Sequence, residues 1–135
     1  PLNVLAHKVA PALAGGNTVI IKPSELTPLS AVVLCEVLIE AGLPPERISL
    51  VHGPGDQIGR QLLANQDIAF YAFTGSTRVG RLIQQAAGLR GLQLELASIA
   101  STRPPMGPRT RTAAVQPIAM MTLSGVVGVI ADGLK

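Results

Sequence analysis

Lys22-Pro23-Ser24-Glu25 places a cation, a hydroxyl and a carboxylate directly after a β-branched run that begins at Thr18. A carboxylate in such a position can accept hydrogen bonds from both hydroxyls of a ribose, and a lysine can contact the same sugar or a neighbouring phosphate. An ion pair on the protein surface is the commoner role of such residues. The segment by itself leaves both interpretations open.

The segment Gly53–Gly59 follows a predicted strand and opens a predicted helix. Gly53, Gly55 and Gly59 approximate the dinucleotide fingerprint G-x-G-x-x-G, but the last spacing is one residue too long. An ordinary strand–turn–helix connection with turn glycines explains the pattern equally well.

The segment Thr74–Gly80 combines a glycine with hydroxyl groups at a predicted helix start. Gly75 allows a close approach of the backbone to a ligand, and Ser76 stands where free N–H groups and the helix dipole favour a phosphate. The glycine spacing is similar to that of a P-loop, but Arg81-Leu82 replaces the required Lys-Ser/Thr, which argues against a nucleoside-triphosphate hydrolase. A plain helix cap is the alternative.

Glu95 lies between two leucines near the end of an alternating run. Desolvation there would raise the pKa of its carboxyl group and suit it to general-base catalysis. An outward-facing carboxylate is the alternative, and the residues alone favour it.

Cys35 falls on the apolar stripe of a predicted helix, which indicates a packed core residue. His7 and His52 lack the spacing of metal ligands, so no metal site is predicted.

Helix and strand signals alternate through the first hundred residues and would position these segments. Strands are predicted at Thr18–Lys22, Arg47–His52, Ile68–Phe73 and around Leu92–Leu96. Helices are predicted over Asn3–Leu13 and after N-caps at Thr27, Asp56 and Ser76. This order predicts an α/β fold with a parallel sheet and helices on both faces. Ligands of such sheets bind beyond the carboxyl ends of the strands, so the chemical segments are expected to converge there.

Charge and composition restrict the partners. Residues 1–100 carry seven basic and seven acidic side chains, so the net charge of +3 arises within residues 101–135. Arginines scattered among prolines do not form the basic face of a nucleic-acid binder. A single cysteine excludes an intramolecular disulfide, and the apolar-rich run Val115–Ala131 is too interrupted to span a membrane. We therefore expect a cytoplasmic protein without a nucleic-acid or membrane partner.

The composition changes near residues 98–101. Residues 1–100 are predicted to form the folded domain, and residues 101–135 an atypical, irregular tail. Residues 101–117 hold four prolines and three arginines and show no amphipathic period. Our hypothesis is that the tail is a frameshifted or otherwise aberrant reading.

A joint pattern of motifs runs from Pro1 to about Leu96. Its parts are Pro1-Leu2-Asn3, Ala6-His7-Lys8-Val9-Ala10-Pro11-Ala12-Leu13, Gly16-Asn17-Thr18-Val19, Lys22-Pro23-Ser24-Glu25-Leu26-Thr27-Pro28, Glu40-Ala41-Gly42-Leu43-Pro44, Phe73-Thr74-Gly75-Ser76-Thr77, Val79-Gly80 and Leu94-Glu95-Leu96. In order and spacing the pattern resembles the aldehyde dehydrogenase superfamily, whose members oxidise an aldehyde to a carboxylic acid with NAD(P)+.

The resemblance implies part of a Rossmann-like NAD(P)-binding domain. By position, the residues that it assigns to the cofactor are Lys22, Ser24, Glu25, Gly55, Gly59, Gly75, Ser76 and Val79. Lys22 and Glu25 would hold the adenosine ribose, Ser76 the pyrophosphate, and Gly55, Gly59 and Val79 the adenine side. Because a carboxylate at position 25 would repel a 2′-phosphate, NAD is expected rather than NADP, although NADP stays an alternative.

Glu95 matches the general base of the family, which activates water to release the acyl-enzyme. The family also needs a cysteine nucleophile and an oxyanion-binding asparagine, but no cysteine follows Cys35 and Asn3 does not match that asparagine. After Glu95 the family continues Leu-Gly-Gly/Ser-Asn, whereas Leu96-Ala97-Ser98-Ile99 stands here. We therefore expect a fragment that is inactive alone, of an enzyme whose full-length relatives are homo-oligomers. A non-catalytic nucleotide-binding or interaction module is the alternative.

Overall fold

The computed structural model describes residues 2–97 and 125–130, and the elements below are those of this described part. In chain order they are α1 (Leu2–Ala14), β1 (Thr18–Lys22), α2 (Leu29–Glu40), a 3₁₀ turn (Pro45–Arg47), β2 (Ile48–Leu50), α3 (Gly55–Ala64), β3 (Phe70–Ser76), α4 (Thr77–Ala87), β4 (Gly91–Ala97) and β5 (Gly125–Ile130). The predicted bounds of β1 are confirmed. The third strand lies further along than predicted, because its ladder with β4 extends to Ser76.

The strands form one sheet in the order β2-β1-β5-β3-β4. β1 and β2 pair in parallel, as do β3 and β4, which confirms the predicted α/β fold for these two pairs. β5 pairs antiparallel with both β1 and β3, so the complete sheet is mixed and not purely parallel. No pattern in the first hundred residues signals this strand.

β5 comes from the tail that was expected to be irregular. Its sequence, Gly-Val-Val-Gly-Val-Ile, is rich in β-branched residues, which favour strands. The interruptions that argue against a membrane helix in this region therefore do not prevent a short strand. The rest of the predicted tail lies outside the described residues.

The directions of the strands place their ends on common edges. Because β5 is antiparallel to both of its neighbours, β1 and β3 run in the same direction. Lys22 at the end of β1 pairs with Val126, and Thr74 near the end of β3 pairs with Gly125. The carboxyl ends of β1 to β4 thus share one edge of the sheet, which is called the carboxyl edge below.

Helices cover both faces of the sheet, as predicted. One buried cluster joins α1 and α2 to the sheet, and a second joins α3 and α4 to it. Ala72 packs in the first cluster while its neighbours Tyr71 and Phe73 pack in the second, as expected from the alternation along a strand. Cys35 is buried in the first cluster, which confirms its prediction as a core residue. None of the described helices has the length and apolar character needed to cross a membrane.

Two of the three predicted helix caps are wrong. Pro28 and Pro54 occupy the N-cap positions of α2 and α3, and neither helix has a side-chain cap. The Thr27 N–H instead closes a turn onto the Ser24 carbonyl, and Asp56 lies inside the first turn of α3. The cap by Ser76 is confirmed, because its Oγ accepts a hydrogen bond from the Val79 N–H at 3.3 Å.

Arg90 joins the ends of α3 and α4 at the edge opposite the carboxyl edge. Its guanidinium donates to the carbonyls of Leu63 and Asn65 at the end of α3, at 3.0 and 2.9 Å. It also donates to the carbonyls of Ala86 and Ala87 at the end of α4, at 2.7 and 2.9 Å. The last carbonyls of a helix lack partners within the helix, so one side chain satisfies the ends of two helices.

Tyr71 extends the contacts of Arg90 into the second core. The guanidinium donates to the Tyr71 hydroxyl at 2.7 Å and lies 4.9 Å from the centre of its ring. The hydroxyl in turn donates to the Leu62 carbonyl at 2.9 Å. Nothing in the sequence singled out Arg90, because its partners are backbone atoms that only the fold brings together.

We expect Arg90→Lys to lower the free energy of unfolding by about 1–3 kcal/mol, because a single ammonium cannot reach the carbonyls that the planar guanidinium fork joins. Denaturant unfolding followed by circular dichroism measures the change. Arg81→Lys on the exposed side of α4 is the matched control and should change stability by less than about 0.5 kcal/mol. Equal effects of the two substitutions would contradict the proposed role of Arg90.

Candidate functional site

The turns after β1 and β2 meet at the carboxyl edge. The carboxylate of Glu25 accepts a hydrogen bond from the Gly55 N–H, the first of α3, at 3.0 Å from Oε2. The Lys22 ammonium donates to the Pro23 carbonyl at 3.0 Å and lies 3.7 Å from the position that a Cβ on Gly55 would take. The predicted convergence of these two segments is therefore found in the fold. Lys22, Glu25 and Gly55 are together called the β1–β2 group.

The two charged members of the β1–β2 group, Glu25 and Lys22, differ in their exposure to solvent. A carboxylate at a helix N-terminus is stabilised by the partial positive charge there, and Glu25 stays exposed to solvent. Lys22 is only 5 % exposed, although its head group remains near Gly55. A carboxylate, an ammonium and a helix N-terminus therefore lie side by side, a set that suits a ligand bearing hydroxyl and phosphate groups.

Ser24 and Gly59 flank this group. The Ser24 Oγ accepts a hydrogen bond from the Leu26 N–H at 3.3 Å and so shapes the turn that carries Glu25. Gly59 lies on the second turn of α3, and a Cβ built on it would meet no atom within 4 Å. Space next to Gly59 is thus open, which is compatible with its predicted place beside an adenine.

Gly75 and Ser76 are the last two residues of β3, directly before α4. Ser76 ends β3 and caps α4 through Val79, so its hydroxyl oxygen already serves the helix. Gly75 was expected to leave room for a ligand, but a Cβ on it would lie 2.4 Å from the Phe73 ring. The space beside Gly75 is filled by that ring, so its missing side chain serves internal packing.

Glu95 lies on β4 at the same edge, opposite Thr74 of β3. Its Oε1 is 2.8 Å from the Lys8 ammonium, its Oε2 accepts from the Thr74 hydroxyl at 3.1 Å, and Oε1 also accepts from the Gln93 amide at 3.2 Å. The Glu95 side chain is 45 % exposed, whereas that of Lys8 is 2 % exposed. Ser76, Thr74, Glu95 and Lys8 form the β3–β4 group.

Glu95 is the exposed carboxylate that the residues alone favoured, and the alternative of a raised pKa is wrong. The hydrogen bond from Lys8 holds the pKa of this carboxyl below its ordinary value of 4.5, and partial burial, which acts in the opposite direction, is outweighed. The charge of Lys8 and the hydroxyl of Thr74 act in the same direction as the hydrogen bond from Lys8. Lys8 was not among the predicted site residues, because nothing in the local sequence of α1 shows that this lysine is buried beside Glu95.

The structure brings all four predicted segments to one edge, but in two groups. β5 lies between β1 and β3 and therefore between the β1–β2 group and the β3–β4 group. Adjacent strands are about 4.8 Å apart, so β1 and β3 are separated by about 10 Å. Within residues 2–97 and 125–130, no three His, Cys, Asp or Glu side chains come together as metal ligands.

We expect the Lys8–Glu95 pair to respond unequally to removal of either partner. Glu95→Gln leaves the buried Lys8 cation without its counter-charge and should cost about 1–2 kcal/mol, less than a fully buried pair because Glu95 is half exposed. Lys8→Met leaves a carboxylate that water can solvate and should cost less. Chemical denaturation of both variants at pH 7 compares them, and a greater cost for Lys8→Met would refute this account.

The same pair predicts a dependence of stability on pH. Because the pKa of Glu95 is lower in the folded state than its ordinary 4.5, its stabilising contribution is complete above that value. It is lost as the pH falls through the folded-state pKa. The difference in unfolding free energy between the unsubstituted chain and Glu95→Gln should therefore shrink between pH 6 and pH 3. A constant difference over that range would show that the carboxylate is not the stabilising species.

Comparisons with known proteins match the part of the chain that carries these groups. The family model described as "Aldehyde dehydrogenase family" matches residues 1–102. A 3-sulfolactaldehyde dehydrogenase of Priestia aryabhattai is 50 % identical over 102 residues, which are 76 % of this chain and 21 % of that protein. The chain thus spans about a fifth of the length of this relative.

Solved structures agree with the sequence match. A mutant of aldehyde dehydrogenase C from Pseudomonas syringae, in complex with NAD+ and octanal, is 45 % identical with a TM-score of 0.66, over 68 % of this chain and 19 % of that one. A glyceraldehyde-3-phosphate dehydrogenase of Methanocaldococcus jannaschii in complex with NADP is 36 % identical with a TM-score of 0.68, over 73 % of this chain and 23 % of that one. The motifs of the first hundred residues, their α/β fold and these matches agree, and the chain belongs to the aldehyde dehydrogenase family.

Proposed function

We propose that this chain binds NAD+ at the carboxyl edge, as the cofactor-holding part of an NAD(P)+-dependent aldehyde dehydrogenase. The observation that carries the proposal is the β1–β2 group, in which the Glu25 carboxylate and the Lys22 ammonium lie beside the first N–H of α3. Two structurally similar proteins in complex with NAD+ and with NADP support the cofactor class.

The residues of the β1–β2 group fit the adenosine half of the cofactor. The bond from Gly55 to Oε2 fixes the orientation of the Glu25 carboxylate, which can still accept hydrogen bonds from the two ribose hydroxyls. Lys22 can approach the same ribose or a phosphate, and the open space beside Gly59 suits a planar base. A carboxylate at this place repels a 2′-phosphate, so NAD+ is favoured over NADP+.

The residues of the β3–β4 group fit the remaining roles. The Ser76 hydroxyl can still donate to a pyrophosphate oxygen, while Val79 in the next turn would pack near the adenine. Glu95 would act as the general base by its position, while its contacts with Lys8 and Thr74 lower the pKa of its carboxyl group and make it a weaker base. When bound, the nicotinamide of the cofactor accepts the hydride that leaves the aldehyde carbon.

The thiol that the reaction needs is not at this edge. Cys35, the single cysteine of the sequence, is buried in the first core, and burial raises the pKa of its thiol, with Glu36 acting in the same direction. A thiol of this kind is a poor nucleophile. We therefore propose that aldehyde oxidation belongs to a complete enzyme, active as a homo-oligomer in the cytoplasm, and that this chain has no turnover alone.

A non-catalytic nucleotide-binding module is the second candidate. The burial of Cys35 favours this second candidate, because it removes the thiol from catalysis. Binding of a nucleotide by the β1–β2 group needs no thiol. Both candidates predict binding of NAD+, and they differ in whether a longer chain that includes this region oxidises aldehydes.

The binding proposal is tested by calorimetric titration of the purified chain with NAD+ and NADP+. We expect Glu25→Gln to weaken NAD+ binding about tenfold or more, which corresponds to about 1.4 kcal/mol, while NADP+ binding weakens less or improves. The glutamine amide oxygen can still accept from Gly55, so the turn should persist. Glu36→Gln on the exposed face of α2 is the matched control. NAD+ binding that does not respond to Glu25→Gln would overturn the assignment.

The turnover proposal is tested by absorbance at the NADH band with a panel of aliphatic and aromatic aldehydes. We expect no NADH formation above the buffer rate, and no change in Cys35→Ala, because the thiol takes no part. NADH formation that Cys35→Ala abolishes would show that the buried thiol reaches the substrate after all.

A further inference from the structure

β5 lies at the point of the sheet where ligands of related folds bind. Without it, the strand order would be β2-β1-β3-β4, the beginning of the doubly wound order 2-1-3-4-5. In such sheets the order of strands reverses between the first and third strands, and the ligand binds at the carboxyl ends beside that switch point. β5 fills the gap between those two strands, with five paired residues on each side.

β5 also enters the sheet from the carboxyl edge. Its first residues, Gly125 and Val126, are opposite Thr74 and Lys22. Its backbone therefore stands between the β1–β2 group and the β3–β4 group, where a dinucleotide that contacts both groups would have to cross. The family match ends at residue 102, so β5 is not part of the region that the relatives share.

The centre of β5 is a glycine under a bulky side chain. Gly128 pairs with Ile20 on one side and Tyr71 on the other, and it is buried. A Cβ added to Gly128 would lie 3.2 Å from Cδ1 of Ile68. Glycine inside a strand weakens that strand, because it brings no side chain to pack and loses more entropy on folding.

We propose that β5 is an exchangeable strand that plugs the switch point. With β5 inserted, β1 and β3 are about 10 Å apart, and one additional strand separates Ser76 from Lys22 and Glu25, which weakens the contacts that one dinucleotide can make with both groups. When β5 leaves, β1 and β3 pair directly in parallel, and Ser76 comes one strand spacing closer to Lys22 and Glu25. This inference rests on the proposed cofactor site, because the cofactor is what would favour the second state.

The number of backbone hydrogen bonds determines which state is more stable, the one with β5 inserted or the one with β5 released. Insertion of β5 satisfies the facing backbone groups of β1 and β3 with two antiparallel ladders, whereas its release leaves one parallel ladder and an unpaired segment. The inserted state is therefore favoured without a ligand, and a dinucleotide shifts the population only by its stronger binding to the released state. The tail segment thus acts as an intrachain inhibitor of cofactor binding.

Engineered disulfides report which strands are neighbours. Ile21 and Ala72 both pair with Val127 from opposite sides and both belong to the first core. Their separation of about 10 Å exceeds the limit of about 7 Å between the Cα atoms of a disulfide. In a Cys35→Ala background, Ile21→Cys with Ala72→Cys should crosslink only when β1 and β3 are adjacent. Val19→Cys with Ala72→Cys tests a register shifted by two residues.

Two controls accompany these pairs. Val19→Cys with Ile48→Cys joins neighbouring positions of β1 and β2 and should crosslink in either state. Gly128→Leu forces a side chain against Ile68 and should favour release of β5, whereas Ser49→Leu adds the same side chain to an exposed position of β2. The crosslink is formed with diamide and quantified by mass spectrometry of the monomeric chain, with and without NAD+.

We expect one of the β1–β3 pairs to crosslink slowly alone, at least tenfold faster with saturating NAD+, and faster in Gly128→Leu than in Ser49→Leu. The proposal is overturned if the Val19–Ile48 control crosslinks but neither β1–β3 pair crosslinks, both in the chain with Gly128 and in the Gly128→Leu variant. NAD+ binding that depends on Glu25 without any β1–β3 crosslink would leave the cofactor site standing and reject the exchange. Crosslinking that Gly128→Leu accelerates in a chain that binds no NAD+ would support the exchange and reject the cofactor.

Discussion

The backbone ladders of β5 with β1 and β3 hold the described structure together. Two parallel pairs, β1–β2 and β3–β4, have no direct hydrogen bonds to each other across the sheet, and β5 joins them. Because both ladders are antiparallel, the four remaining strands point the same way and their carboxyl ends share one edge. In this state the two groups at the carboxyl edge are joined, and also separated, by a strand that the family match does not include.

Stability and chemistry occupy opposite edges of this sheet. At the amino ends of β3 and β4, Arg90 satisfies the last carbonyls of two helices and the Tyr71 hydroxyl, and its partners are mostly backbone. At the carboxyl edge, Glu25 and Glu95 remain exposed and carry their charge into solvent. Helix N-termini face that edge, so dipoles and free N–H groups favour anionic ligands there.

Glu95 illustrates how a neighbouring charge decides the state of a carboxyl group. Burial alone would disfavour the charged form, but the Lys8 ammonium at 2.8 Å and the Thr74 hydroxyl stabilise it. These contacts lower the pKa of the carboxyl group and therefore reduce the basicity of the carboxylate. The pair also stabilises the charged form of Lys8, because its side chain is almost completely buried and the Glu95 carboxylate compensates its charge.

The sequence by itself determined the elements, the family and the candidate residues. Hydrophobic periodicity and β-branched runs located four helices and four strands within a few residues, because these patterns arise from local geometry. The Ser76 cap was predictable for the same reason. Thr27 and Asp56 do not cap their helices, because prolines occupy the N-cap positions and Glu25 accepts from the first N–H of α3.

Tertiary structure alone decided the rest. The ion pair of Lys8 with Glu95, the bridging role of Arg90, the Phe73 ring beside Gly75 and the place of β5 between β1 and β3 all join residues far apart in the chain or set by packing. Strand order and side-chain neighbours depend on which surfaces meet, and no local pattern of residues carries that information.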